Sequence, residues 1–214
     1  MKQNKVAGLA LILGALGLLA TMAVHPTGGS MEKIARQARL NTAVHALAIG
    51  WAAVLTFGFV RLSRAIGSDR PSADAGLVAF IFAIAAGTLA PILNGSVIQG
   101  VADRALAADA AAQPAWHALA SYNHLLSAAL AQVLIAGASA AMLLWSMGLL
   151  RIGRSWTYLG VAGVAIGLLS LLALFAGRMR HNIHDFLLWV LGLTGWTTAL
   201  GILLCRRPVN HDAA

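Results

Sequence analysis

Charge is scarce in this chain. Of its 214 residues only 10% are Asp, Glu, Lys or Arg, and just seven are acidic, against about a quarter charged in an ordinary soluble domain. That deficit excludes a freely soluble globule. A single cysteine, Cys205, excludes an internal disulfide. There is no HExxH, no CxxC and no EF-hand spacing, so the motifs that specify a metal from local sequence are missing. Period-two alternation between short turns is missing as well, which argues against a membrane β-barrel.

What the chain has instead is apolar sequence, with 59% hydrophobic residues and a positive mean hydropathy. Six uncharged runs, at 6–24, 40–60, 75–102, 118–150, 156–177 and 186–205, are each long enough to cross much or all of a hydrocarbon core of roughly 30 Å at about 1.5 Å per residue. Rich in Ala, Leu and Gly, they predict an all-α polytopic membrane protein. The expected architecture is a single six-transmembrane-helix bundle over 1–214, with spans near 6–24, 41–62, 75–98, 121–150, 156–177 and 185–205 paired as three antiparallel hairpins. The 22 glycines are expected at close-packing positions, because helices in lipid associate through small residues.

The net charge of +8 would point to nucleic acid in a soluble protein, but here the cations flank the spans and suit anionic lipid instead. Lys2, Lys5, Arg61, Arg64, Arg70, Arg151, Arg154, Arg206 and Arg207 fall on one side. Lys33, Arg36, Arg39, Arg104, Arg178 and Arg180 fall on the other, over longer loops. The positive-inside rule therefore predicts an inner-membrane protein with both termini cytoplasmic. A cleaved signal peptide is the minor alternative for the first run, which is longer than an h-region of roughly 7–15 residues and lacks a clear A-x-A site.

Local signals refine the path. Pro26, Gly28 and Gly29 end the first helix, and Ser30 is placed to cap a short amphipathic segment, 31–40, leading into the second span. Gly67 stops that span, and Pro91 is expected to kink the third. The alanine-rich stretch 103–116 reads as a helix ending at Pro114.

With termini inside, six of the seven histidines, His25, His45, His117, His124, His181 and His184, fall on the outer side. Residues three or four apart share a helical face, which groups Asn41 with His45, Ser121 with His117 and His124, and His181 with His184 and Asp185. Neutral imidazoles with carboxylates form a ligand set suited to zinc, copper or iron, and neighbouring amides orient the rings. The expected metal ligands are thus His45, His124 and His184, with Asn41, Asn94, Asn123, Gln132 and His181 around the cofactor and Asp185 as catalytic base. His25 and His117, beside Pro26 and Trp116, read as interface residues. Two stacked haems would need histidines near both faces, so one haem is the most this pattern allows.

Three functions fit these residues: a metal or haem site near the outer surface serving redox or hydrolytic chemistry, a carrier for a small solute or metal ion, and a scaffold subunit of a membrane complex or homo-oligomer. Enzyme status stays open. The inner halves of the spans are nearly free of polar residues, Trp145 and Ser146 being minor exceptions, which argues against a path through the bundle.

Overall fold

The structure, a computed structural model, describes residues 2–26, 28–67, 70–178 and 183–206, and of residues 2, 3 and 183–185 it describes the backbone alone. Among the described residues all regular structure is helical. Helix α1 spans Lys2–Ala23, α2 Met31–Arg36, α3 Ala38–Ile66 and α4 Pro71–Ile92. A π-helical turn, Leu93–Val97, leads into α5 Ile98–Ala107, followed by α6 Gln113–Leu149, α7 Arg154–Phe175 and α8 Ile183–Arg206.

The boundaries have local causes. Ser30 Oγ accepts from the Lys33 amide at 3.4 Å and so caps α2 as expected. Gly67 ends α3 at φ 120°, a conformation that L side chains rarely adopt. The alanine-rich stretch departs from expectation: it is broken at 108–112, where Asp109 Oδ1 accepts from the Ala112 amide at 2.9 Å. An aspartate that bonds the backbone in a turn outweighs the helix propensity of its alanine neighbours. Pro114 consequently opens α6, in the first turn where its missing N–H leaves no bond unmade.

Among the described residues, six helical segments are long and apolar enough to cross a membrane: Asn4–Ala23, Ala38–Ile66, Pro71–Ala107, Gln113–Leu149, Arg154–Phe175 and Phe186–Arg206. Large apolar side chains such as Phe82, Leu169 and Phe175 lie on the outer surface, as suits contact with lipid and not with water. Length, composition and this surface mark a multi-pass membrane protein.

Helix α1 packs on α3 and α8, α3 on α4, α4 on α6, α6 on α7, and α7 slightly on α8. Where α1 meets α8, a Cβ on Gly8 would collide with the Gly201 carbonyl, and one on Gly137 would come within 2.9 Å of the Ala79 carbonyl on α4. Close packing does not explain every glycine, since Gly50, Gly100 and Gly195 have open space beside them. Within the bundle Phe59 stacks on Trp145 at 4.4 Å and touches Phe80 and Trp196. The Trp145 indole N–H donates to Ser63 Oγ at 2.7 Å, and that hydroxyl donates to the Ala73 carbonyl at 3.3 Å. This aromatic layer lies towards the ends where α1 begins and α3 and α6 finish. The opposite end of the bundle is more open and more polar.

Candidate functional site

At that opposite end the site starts from a proline. Pro91 has no amide hydrogen and its ring crowds the carbonyl one turn back, which weakens the α-helical ladder of α4. Just beyond it the chain widens into the Leu93–Val97 π-turn, where the Ile98 amide reaches back to the Leu93 carbonyl. The Asn94 carbonyl accepts from Asn41 Nδ2 at 2.5 Å, and the Gly95 carbonyl from Thr42 Oγ1 at 3.2 Å. Gln99 Nε2, one turn on, donates to the Ala38 carbonyl at 2.7 Å. These bonds satisfy polar backbone that the bilayer could not, and they fasten the start of α3 to the π-turn.

Gly95 lets His45 sit directly against this backbone, since a Cβ there would approach the His45 Cβ to 2.6 Å. His45 is only 6% exposed. Its Nδ1 donates to the Asn41 carbonyl at 2.7 Å, and its Nε2 lies 3.1 Å from Nε2 of His25. His25 sits in the turn after α1, where its Nδ1 donates to the Pro26 carbonyl at 2.9 Å. The two rings stand at 74° with centroids 4.8 Å apart.

A second polar group borders the first. Asn94 Oδ1 accepts from Ser127 Oγ at 3.1 Å and from Asn123 Nδ2 at 3.4 Å. Asn123 is 5% exposed, and its own Oδ1 is buried without a hydrogen-bond partner among the described residues. A buried acceptor of this kind costs about 1–3 kcal/mol relative to a paired one, so it marks a place where a donor is expected. Between the turn after α1, α2, α3, the π-turn and α6 lies a cavity of about 660 Å³, and His25, Asn41, His45, Asn94, Asn123 and His124 line it. No lysine, arginine, aspartate or glutamate is among its described lining residues.

Five of the residues expected to act together, Asn41, His45, Asn94, Asn123 and His124, thus meet at one cavity. Gln132, on α6 with Asn123 and His124, is half-buried and lies outside its lining. His181 lies outside the described residues; His184 and Asp185 belong to the backbone of α8, and their side chains are not among those described. Among the described residues no three His, Cys, Asp or Glu side chains converge as a metal-ligating group. His25, read from sequence as an interface residue, is the member of the site that helical spacing misses. It lies 20 positions from its partner, across two turns of chain, and spacing within one helix carries no signal for such a pair.

Compared with protein families, with curated proteins and with solved structures, the chain matches none.

Proposed function

We propose that the chain is an inner-membrane protein with both termini cytoplasmic and its spans paired as three hairpins. Its outward-facing cavity binds a metal ion or haem, for redox or hydrolytic chemistry on a small molecule. One observation carries the reading: imidazoles and amides from the α1–α2 turn, α3, the π-turn and α6 converge on a single cavity, and no lysine or arginine is among its described lining residues to compete with a bound cation. Bound there, the metal would supply Lewis-acid chemistry or an activated water. Of the chain's own residues, Asn94 and Asn123 would orient a substrate, and His124 lies exposed at the rim. His181, His184, Asp185 and Gln132 enter this proposal on their sequence positions alone. A carrier is disfavoured, because the Phe59, Phe80, Trp145 and Trp196 layer packs the bundle between the cavity and the far end.

The test is elemental analysis and a visible spectrum of the full chain, purified in detergent from metal-replete cells. Metal or haem approaching one per chain is the expected result. Protein with neither a bound transition metal nor a Soret band would overturn the proposal.

A further inference from the structure

The pairing of His25 with His45 raises a question of protons. A backbone carbonyl only accepts hydrogen bonds, so Nδ1 bonded to the Pro26 carbonyl in one ring, and to the Asn41 carbonyl in the other, must carry the hydrogen in both. Each neutral ring is then left with a bare lone pair on Nε2, and those two lone pairs face each other at 3.1 Å. Two acceptors at that separation repel. Something electrophilic belongs between them, and the choice is a proton or a metal ion.

Geometry bears on the choice. A shared proton favours a straight N–H···N line, and rings aligned head-on with nitrogens 3.1 Å apart would have centroids about 5.4 Å apart. The observed 4.8 Å is shorter, so the N···N line does not run along both ring axes. With both rings tilted equally and to the same side, axes drawn from each centroid through its Nε2 meet about 2 Å beyond the nitrogens, so this spacing accommodates a shared metal ion at the 2.0–2.1 Å bond of imidazole to zinc. A bis-histidine haem is ruled out for this pair, since ligands on opposite sides of an iron stand about 4 Å apart at the same bond length. Nδ1–H bonds to carbonyls are, in addition, the outer partners that fix ring orientation and raise ligand basicity in histidine-metal sites.

We infer that His25 and His45 are adjacent ligands of one divalent d-block cation of the zinc or copper class, bound through Nε2 at the wall of the 660 Å³ cavity. The inference rests on the metal reading proposed above and gives that metal its ligands. His45 is fixed by the π-turn and Gly95, whereas His25 lies on an exposed turn that Lys33 Nζ, donating to the Gly28 carbonyl at 3.2 Å, and the Ser30 cap hold in place. Two protein nitrogens leave coordination positions open towards the cavity, where water or substrate enters.

The experiment is a zinc titration of the full chain in detergent, followed by isothermal calorimetry, for the unaltered protein and for His25→Ala, His45→Ala and His117→Ala. The unaltered protein and His117→Ala are expected to bind one zinc with equal affinity. His25→Ala is expected to bind roughly 100-fold more weakly or worse, beyond the 10–100-fold cost of losing an outer partner alone. Because His45→Ala lies in the packed bundle and its failure to fold would be uninformative, His25→Cys serves as the second variant. Loaded with Co²⁺, it should show a thiolate-to-metal charge-transfer band that neither the unaltered protein nor His25→Ala shows. Absence of zinc binding by the unaltered protein would overturn the metal reading itself. Zinc binding that survives His25→Ala undiminished, or His25→Cys without the band, would overturn the ligand assignment and leave that reading standing.

Discussion

His45 illustrates how one residue position is built from its neighbours. A ring buried at 6% exposure needs a partner for each polar atom: the Asn41 carbonyl accepts from Nδ1, and the cation inferred between His25 and His45 would take up Nε2. The ring also needs room, which Gly95 gives it. Gly95→Ala would force the new methyl into the His45 Cβ, a backbone-linked atom that cannot swing aside. The expected outcome is a protein of unchanged helix content, by circular dichroism, whose zinc affinity falls at least tenfold. Asn123→Leu works in the opposite sense, since removing an unpaired buried acceptor relieves a cost of about 1–3 kcal/mol, while the long bond lost from Nδ2 leaves Asn94 Oδ1 still paired with Ser127. A higher Tm with weaker binding of ligands in the cavity is expected; a lower Tm would contradict the unpaired state of Oδ1. Far from the cavity, Ser63→Ala leaves the Trp145 indole N–H buried without its acceptor. Thermal unfolding should show a loss of about 1–3 kcal/mol with zinc binding intact.

Among the elements, the π-turn matters most, and it was only half readable in the sequence. Pro91 announces a disturbance in the third span, but nothing in Leu93–Val97 distinguishes a kink from an extra residue per turn. The wider turn is stabilised by Asn41 and Thr42, which lie 53 positions away. Pro91→Ala returns an amide to the ladder just before the π-turn and is expected to let Leu93–Val97 wind as α-helix. Loss of the extra residue rotates the remainder of the helix by about 100°, carrying Asn94 and Gly95 off α3, so the cavity should lose its ligand while the helix gains protection in hydrogen exchange. The turn before α3 shows the same division. Ser30 is a cap visible in sequence, whereas the His25–His45 contact depends on how α1 and α3 are laid side by side. Short α2 also carries a pH signature: the Ser30 hydroxyl, then the Glu32 backbone and the Arg36 charge, hold the exposed Glu32 carboxyl below the usual carboxylate range. A depressed folded value stabilises α2 above the unfolded carboxylate range, and this stabilisation is lost as pH falls through the folded value. Amide exchange in Met31–Arg36 should therefore quicken in acid, and more so than in a Glu32→Gln variant.

For the whole molecule, composition determines most of the architecture. Runs of Ala, Leu and Gly without charge admit little but helices in lipid, and the spanning helices fall where those runs do, although α6 begins eight residues before 121 because Pro114 opens a helix instead of closing one. Co-location of Asn41, His45, Asn94, Asn123 and His124 was readable because they share one end of the bundle, while Gln132, about two turns further along α6 than His124, lies outside the cavity lining. Orientation in the membrane is testable through the lone cysteine. In a Cys205→Ser background, single cysteines at Ser155 and Ala110 should be labelled from the cytoplasmic and the outer side respectively, and the reverse pattern would invert the assigned sidedness. The identity of the bound group is tested most directly by X-ray absorption at the zinc edge of the zinc-loaded full chain. Two imidazole nitrogens at about 2.0 Å in the unaltered protein, falling to one in His25→Ala, are the predicted result. An imidazole count that His25→Ala leaves unchanged, or a first shell of oxygen alone, would contradict a cavity built around the His25–His45 pair.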